Sequence, residues 1–274
     1  MQCIITALKA ESDLLIQYFG LTKDYSFNFP FFINKESKIC LAGVGVGKKN
    51  LYSRIHTVFN SIKNKNTQFI NFGIAGGSKN STEIGNLYII NKIIDEQSKK
   101  CFYPEILIKH NMDEREIITV QNEVRFDEGK YNSLVDMEAS EIFNICSKIV
   151  PLQNLAFVKV VSDYMDISSQ NFNNEQIHDL IKPLITELDN FLRKFFCLKK
   201  MNRSILTVND MNWVQFNSEL LLLTKTQINE LIRKTKLFRI NHPNSSLPKT
   251  NSSIPKNKIE RNKFFNYVCA KLIT

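Results

Sequence analysis

Two short stretches combine an acid with a setting that would present it. The run "LAFVKVVSD" (155–163) is apolar almost throughout, then stops on Ser162 and Asp163. It reads as a buried strand, and its end is either an ordinary polar turn or a carboxylate carried into a pocket. In "VDMEAS" (135–140), Asp136 and Glu138 flank Met137 where a helix begins. Acids in a first helical turn suit the helix dipole and need no other purpose. The chemical alternative is that Glu138 accepts hydrogen bonds from two vicinal hydroxyls, as a carboxylate does on a ribose, while Met137 packs on the sugar face.

Glycine adds a third signal. Six of the nine glycines lie between residues 43 and 77, in "GVGVG" and "GIAGG", each after an apolar run. Glycine at a strand end allows a tight turn, or lets a ligand approach free backbone N–H groups. Neither cluster is GxGxxG with an acid about twenty residues on, and neither is a Walker A loop, so dinucleotide and nucleoside triphosphate readings are weak. The four histidines stand apart, without spacing for a metal or a triad, and no GxSxG elbow occurs.

The elements that must position these groups alternate. Strands are expected at 3–7, 38–47, 68–73, 86–91, 116–120 and 155–163, and helices at 11–19, 48–62, 138–149 and 174–196, the last kinked by Pro183. This order predicts an α/β domain with a sheet covered on both faces and ligands at strand C-terminal ends. With 43% hydrophobic residues, 274 residues suffice for one such domain plus an appendage. No run is long enough to span a bilayer; "LLLL" (220–223) is among the longest. The start has no basic n-region, and the six scattered cysteines form no CxxC or Cys/His cluster. A cytoplasmic protein with reduced thiols and no zinc site is expected.

Charge divides the chain near residue 199. Residues 199–274 hold 14 Lys/Arg against 4 Asp/Glu, and residues 1–198 hold 22 against 23. A nearly neutral first part fits a small-molecule site better than a polyanion. In the basic extension, a helix is expected at 223–238, with Thr224 and Gln227 in capping-box spacing. The Pro/Ser/Asn/Lys-rich stretch 241–258 reads as linker or disorder, and 261–273 as a last short helix.

In order, "ALKAESDLL", "GVGVGKKN", "INFGIAGG" followed by "IGNLYIIN", "VDMEAS" and "VVSD" resemble the purine nucleoside phosphorylase and nucleosidase superfamily. The nearest likeness is to its methylthioadenosine/S-adenosylhomocysteine nucleosidase branch, over residues 1–198. The resemblance implies a three-layer α/β domain with a central mixed sheet flanked by helices, and a homodimer or larger oligomer whose neighbouring subunit often closes the pocket. It makes Asp163 the acid that protonates purine N7, with Ser162 orienting it, and gives the ribose to Met137 and Glu138. Glu11, in "ALKAE", becomes the residue that activates water. The backbone at Ala75 and Gly76 would face the nucleoside, with Gly45 and Gly47 lining the nucleophile side. Departures concern the substrate: Ile74 replaces a family serine, and Lys159 stands where the family often has Arg. Phe126 is a candidate to stack on the base and Asn122 to read its edge, or else they are a structural aromatic and a turn residue.

The chemistry is coherent in its own right. Breaking an N-glycosidic bond needs an acid for the departing base, stabilisation of an oxocarbenium-like sugar and a nucleophile from the opposite face. Two carboxylates in different environments suit these opposite duties, and no cofactor is required. The related phosphorylases carry arginines in the segments matching "INFG" and the N-terminal loop; this chain has none there, although Lys48 and Lys49 are near. Hydrolysis is therefore expected ahead of phosphorolysis. The rival of a different class is a non-catalytic nucleoside-binding protein whose basic tail, with Phe264, Phe265 and Tyr267, meets nucleic acid, an anionic membrane or an acidic partner. A solvated extension that merely docks on the core is the plain alternative.

Overall fold

Alternating apolar residues in "QFINFGIAG" face two layers, and this strand organises the sheet. The computed structural model describes residues 1–64, 66–127, 129–166, 173–201, 205–249 and 254–272. Contacts divide the chain into two compact units, Met1–Lys199 and Lys200–Thr274. The first unit runs β1 (Gln2–Thr6), α1 (Lys9–Tyr18), β2 (Thr22–Lys23), β3 (Phe31–Asn34), β4 (Ile39–Gly43), α2 (Leu51–Ile62) and β5 (Gln68–Gly76). It continues with β6 (Leu87–Asp95), β7 (Cys101–Phe102), β8 (Asp113–Thr119), β9 (Leu134–Asp136), α3 (Ala139–Cys146), β10 (Leu155–Asp163), α4 (Asn174–Ile181) and all but the last two residues of α5 (Ile185–Met201).

Among the described residues the strands form one mixed, ten-stranded sheet. β5 pairs in parallel with β1 and with β10, and its last residue, Gly76, meets Val135 of β9. β10 also pairs antiparallel with β6, β6 pairs in parallel with β8, and β8 in parallel with β9. The strands β5, β10, β6, β8 and β9 thus close a ring, while β1, β4, β3 and β2 extend as an open wing. Closure leaves the long apolar strands without free edges. Because β1, β5 and β10 run parallel, their C-terminal ends, with Thr6, Gly76 and Asp163, lie at one end of the sheet.

Two apolar layers hold the helices. On one face Ile5, Phe69 and Phe157 pack with Ile55 and Val58 of α2 and with Ile142 and Cys146 of α3. On the other, Ile4, Ile70, Phe72 and Val158 meet Leu15 of α1, Ile177 and Ile181 of α4, and Leu188 and Phe191 of α5. Two buried amides anchor α5: Gln2 Nε2 donates to the Leu192 carbonyl at 2.9 Å, and Gln68 Nε2 to that of Phe195 at 2.6 Å. Pro183, which lacks an N–H, sits in a 3₁₀ turn (Lys182–Leu184) between α4 and α5, where the kink is expected.

The expected strand at 38–47 stops at Gly43, and α2 starts at Leu51 rather than near Lys48. Gly45 and Gly47 have φ of +79° and +77°, so the segment between is a loop and cannot continue either element. The hairpin of β2 and β3 and the short β7 and β9 are too brief for hydrophobic periodicity to reveal.

The second unit holds α6 (Val208–Leu220), α7 (Lys225–Asn241) and α8 (Lys258–Lys271). Its core is Val214, Leu231, Phe238, Phe265, Val268 and Leu272. Thr224 and Gln227 form the expected capping box. α6 lacks a sequence signal because its apolar residues surround the helix: Val214 is buried, while Val208, Met211 and Phe216 are exposed. The stretch 241–258, of which residues 250–253 lie outside the described residues, is packed in part. Trp213 Nε1 donates to the Pro248 carbonyl at 3.1 Å, and Pro255 is buried. Ile273, at the end of the expected last helix, is also outside them. Among the described residues no helix is long and apolar enough to cross a membrane.

The layer beneath β10 can be tested at Phe157, which is buried and lies 6.0 Å from the Phe143 ring. Phe157→Ala should lower stability by about 3–5 kcal/mol. Urea denaturation should show the midpoint falling with an unchanged slope.

Candidate active site

At the end of β1 the chain turns at once into α1, whose third residue is Glu11. Its Oε2 accepts the N–H groups of Ala7 and Leu8, both at 2.9 Å, and Oε1 accepts that of Ile74 on β5 at 3.0 Å. The bond from Leu8 is the backbone half of a capping box. The carboxylate fits only because β5 carries glycine opposite it: a Cβ on Gly73 would lie 2.6 Å from Oε1. Glu11 is 2% exposed, and burial raises its pKa against the opposing pull of the three amides and Lys159.

Lys159 is a second buried charge, 2% exposed inside β10, with its Nζ 2.9 Å from Asp136 Oδ2. Burial disfavours the ammonium, but Asp136 and Glu138 more than offset this and hold its pKa above the ordinary lysine value. Asp136 ends β9. It also accepts the Thr119 hydroxyl at 2.8 Å and the N–H of Ala139, in the first turn of α3, at 2.9 Å. Glu138 therefore leaves the sheet beside this pair. Its Oε1 accepts the Gly47 N–H at 2.6 Å, tying the glycine loop to the start of α3. Burial and then the Asp136 charge push the Glu138 pKa up to about 7, with Lys159 and the Gly47 amide opposing.

Asp163 closes β10. Its Oδ1 accepts the Met165 N–H at 2.8 Å, and its Oδ2 lies 2.6 Å from Ser162 Oγ. The same Oγ is 3.2 Å from the Ala75 carbonyl, so Ser162 links the carboxyl to β5. These groups border one cavity of about 560 Å³. Its wall includes Glu11, Glu123, Asp136, Glu138 and Asp163, and no Lys, Arg or His among the described residues. Apolar wall comes from Leu8, Val46, Ile74 and Ile177 and from Val120, Val124 and Met165. Among the described residues no group of three or more His, Cys, Asp or Glu is placed to hold a metal ion.

Several solved structures similar to this chain are nucleosidases. The 5′-methylthioadenosine/S-adenosylhomocysteine nucleosidase of S. pneumoniae, with a transition-state inhibitor, matches 71% of this chain and 99% of its own, with TM-score 0.58 and 16% identity. An Asp-to-Asn variant of the Helicobacter pylori nucleosidase, with 5′-methylthioadenosine in its active site, matches 69% and 98% at TM-score 0.54 and 16% identity. A putative nucleosidase from Francisella philomiragia matches 69% and 98%, with TM-score 0.54 and 14% identity. This chain has the nucleosidase fold. No family model and no curated protein matches the sequence.

On the nucleosidase fold, Glu11, Ala75, Gly76, Met137, Glu138, Ser162 and Asp163 all reach the cavity wall. Four sequence candidates do not. Phe126 is 72% exposed and outside the lining, because Asp127 N–H bonds to the Met165 carbonyl while Val124 turns inward instead. Asn122 is likewise exposed. Gly45 and Gly47 flank the wall without forming it. Val46 between them faces the cavity, and the Gly47 amide is spent on Glu138. Lys48 is also engaged, 2.6 Å from Asp95, as Ser140 is at 2.9 Å. Burial alone would raise the Asp95 pKa, and Lys48, Ser98 and Ser140 more than offset it, holding it below the usual carboxylate range.

Sequence reasoning passed over Asp136 and its pairing. The signal was present: a lysine within the apolar run "AFVKVVS" needs a buried carboxylate, and "VDMEAS" holds two. Removing the ammonium leaves Asp136 buried and unpaired, so Lys159→Met should cost about 3–5 kcal/mol of stability. Adding Asp136→Asn should restore much of the loss, and urea denaturation of the two variants checks both outcomes.

Proposed function

We propose that the first unit hydrolyses the N-glycosidic bond of a purine nucleoside of the adenosine type, with an apolar group such as methylthio at the 5′ position. One observation carries the reading: a wall with five carboxylates and, among its described residues, no cation. Such a wall repels a phosphate dianion and favours a neutral nucleoside whose sugar becomes positive in the transition state. It therefore supports water as nucleophile over phosphorolysis. Glu11 strengthens the case, because its own carboxylate already occupies three backbone N–H donors that an anion would need.

In this mechanism Glu11 takes a proton from water as its oxygen bonds to C1′. The C1′–N9 bond breaks, its electrons pass to the base, and Asp163 delivers a proton to N7, so that a neutral purine leaves. Ser162 orients the acid, Glu138 grips the ribose hydroxyls and Met137 packs on the sugar. The backbone at Ala75 and Gly76 faces the nucleoside. Leu8, Val46 and Ile177 supply the apolar surroundings for the 5′ group. No cofactor takes part, and the working form is a homodimer in which a second subunit covers Val46, which is 55% exposed.

Chromatography of free base tests the reaction. Incubation with adenosine, inosine, methylthioadenosine and S-adenosylhomocysteine should release adenine best from methylthioadenosine, at a rate independent of phosphate. A phosphate requirement would instead establish phosphorolysis. Asp163→Asn should slow release by about 10²–10⁴-fold, and full activity in that variant would remove Asp163 from the mechanism.

The acid limb of the pH profile follows from Glu138. Only the ionised carboxylate can accept from both ribose hydroxyls, and with its pKa near 7 it becomes protonated as pH falls. In the wild type kcat/KM should therefore decline below about pH 7. In Glu138→Gln the overall value should be lower and this limb should move to more acidic pH, as steady-state kinetics across pH would reveal.

A further inference from the structure

The second unit carries charge and apolar surface that neither its own fold nor the proposed reaction uses. All four acids of residues 199–274 are occupied, Glu219 by the Gln215 side-chain amide at 3.0 Å. Asp210 is buried in a 2.6 Å pair with Arg239, Glu230 lies 2.7 Å from Arg233, and Glu260 accepts the Lys256 N–H at the start of α8. Lys225, Lys236, Lys256, Lys258 and Lys263 are exposed and, among the described residues, form no ion pair. Beside them stand aliphatic side chains facing outward. On α8, Ile259, Lys263 and Tyr267 are four residues apart and form one stripe, with Ile259 80% exposed. On α7, Leu237 and Ile240 share the exposed side with Arg233 and Lys236. The inward faces already supply a core through Leu231, Phe238, Phe265 and Val268, so the outward apolar groups are surplus to folding.

We propose that the Lys200–Thr274 unit seats on an anionic lipid surface. Residue type separates this partner from the others. Protein interfaces and nucleic-acid readers rely on arginine, whose planar fork binds carboxylates, phosphates and guanine edges, and interface cores are depleted of lysine. Here Arg233 and Arg239 are committed to carboxylates and Arg261, which forms no ion pair, is half-buried, so among the described residues the exposed cations without an ion pair are all lysines. A lysine next to an exposed isoleucine or leucine lays its stem on the apolar group and its ammonium at headgroup level. The aliphatic side chains enter the acyl boundary, for which a nucleic-acid backbone offers no counterpart.

Sedimentation of the full chain with vesicles tests this, comparing phosphatidylcholine alone with phosphatidylcholine containing phosphatidylserine. Binding should require phosphatidylserine and fall as salt is raised. It should drop about tenfold or more in Lys256→Glu/Lys258→Glu/Lys263→Glu. It should drop severalfold in Ile240→Ser/Ile259→Ser, whose positions are exposed. Unchanged far-UV circular dichroism and base release in both variants would show that the fold survives. The proposal is overturned if neither lipid is bound, if both are bound equally, or if the apolar variant binds like wild type. Tighter retention by single-stranded RNA or duplex DNA than by the anionic vesicles at the same salt would overturn it as well.

Discussion

The buried pair between Lys159 and Asp136 fixes the geometry on which the cavity depends. Lys159 lies inside β10 and Asp136 at the end of β9, two strands that both pair with β5. Asp136 also takes the Thr119 hydroxyl and the Ala139 amide, so one carboxylate sets the end of β8, the end of β9 and the entry into α3. Glu138 emerges from that corner, and its bond to the Gly47 amide brings in the loop after β4. A buried ion pair contributes little net stability compared with apolar packing, but breaking one half of it is expensive. Its value here is positional.

The electrostatic character of the cavity follows from that arrangement. One ammonium stands behind a wall of carboxylates, paired with Asp136 and too deep to offer a ligand its own bonds. Burial without full compensation leaves Glu11 and Glu138 with raised pKa values, while Asp163 is held by a serine and an amide. The carboxylates thus occupy different environments within one pocket, the condition for dividing acid and base duties.

The second unit solves a different problem. It folds around a small core, pins Asp210 under Arg239 and caps each helix with a side-chain oxygen. Its surface is left lysine-rich and partly aliphatic. A small-molecule reaction in the first unit makes no demand for such a surface, which is why an anionic interface accounts for it better than packing does.

Much of this protein was legible in local sequence. The apolar run 155–163 matches β10 residue for residue, Pro183 marks the break between α4 and α5, and Thr224 with Gln227 marks the start of α7. These signals are local: strand alternation, a missing N–H and a capping box each act within a few residues. The order of the motifs also pointed to the nucleosidase fold and to Glu11, Glu138 and Asp163 as a set. Which residues share the wall was decided only by tertiary structure. Phe126 faces outward, Val46 replaces the glycines beside it, and Asp136 acquires its importance from a lysine 23 positions away on another strand. Sequence alone determined which groups can carry charge and which segments must be buried. The closed ring of strands determined which charges meet, because desolvation and pairing depend on neighbours that are distant along the chain.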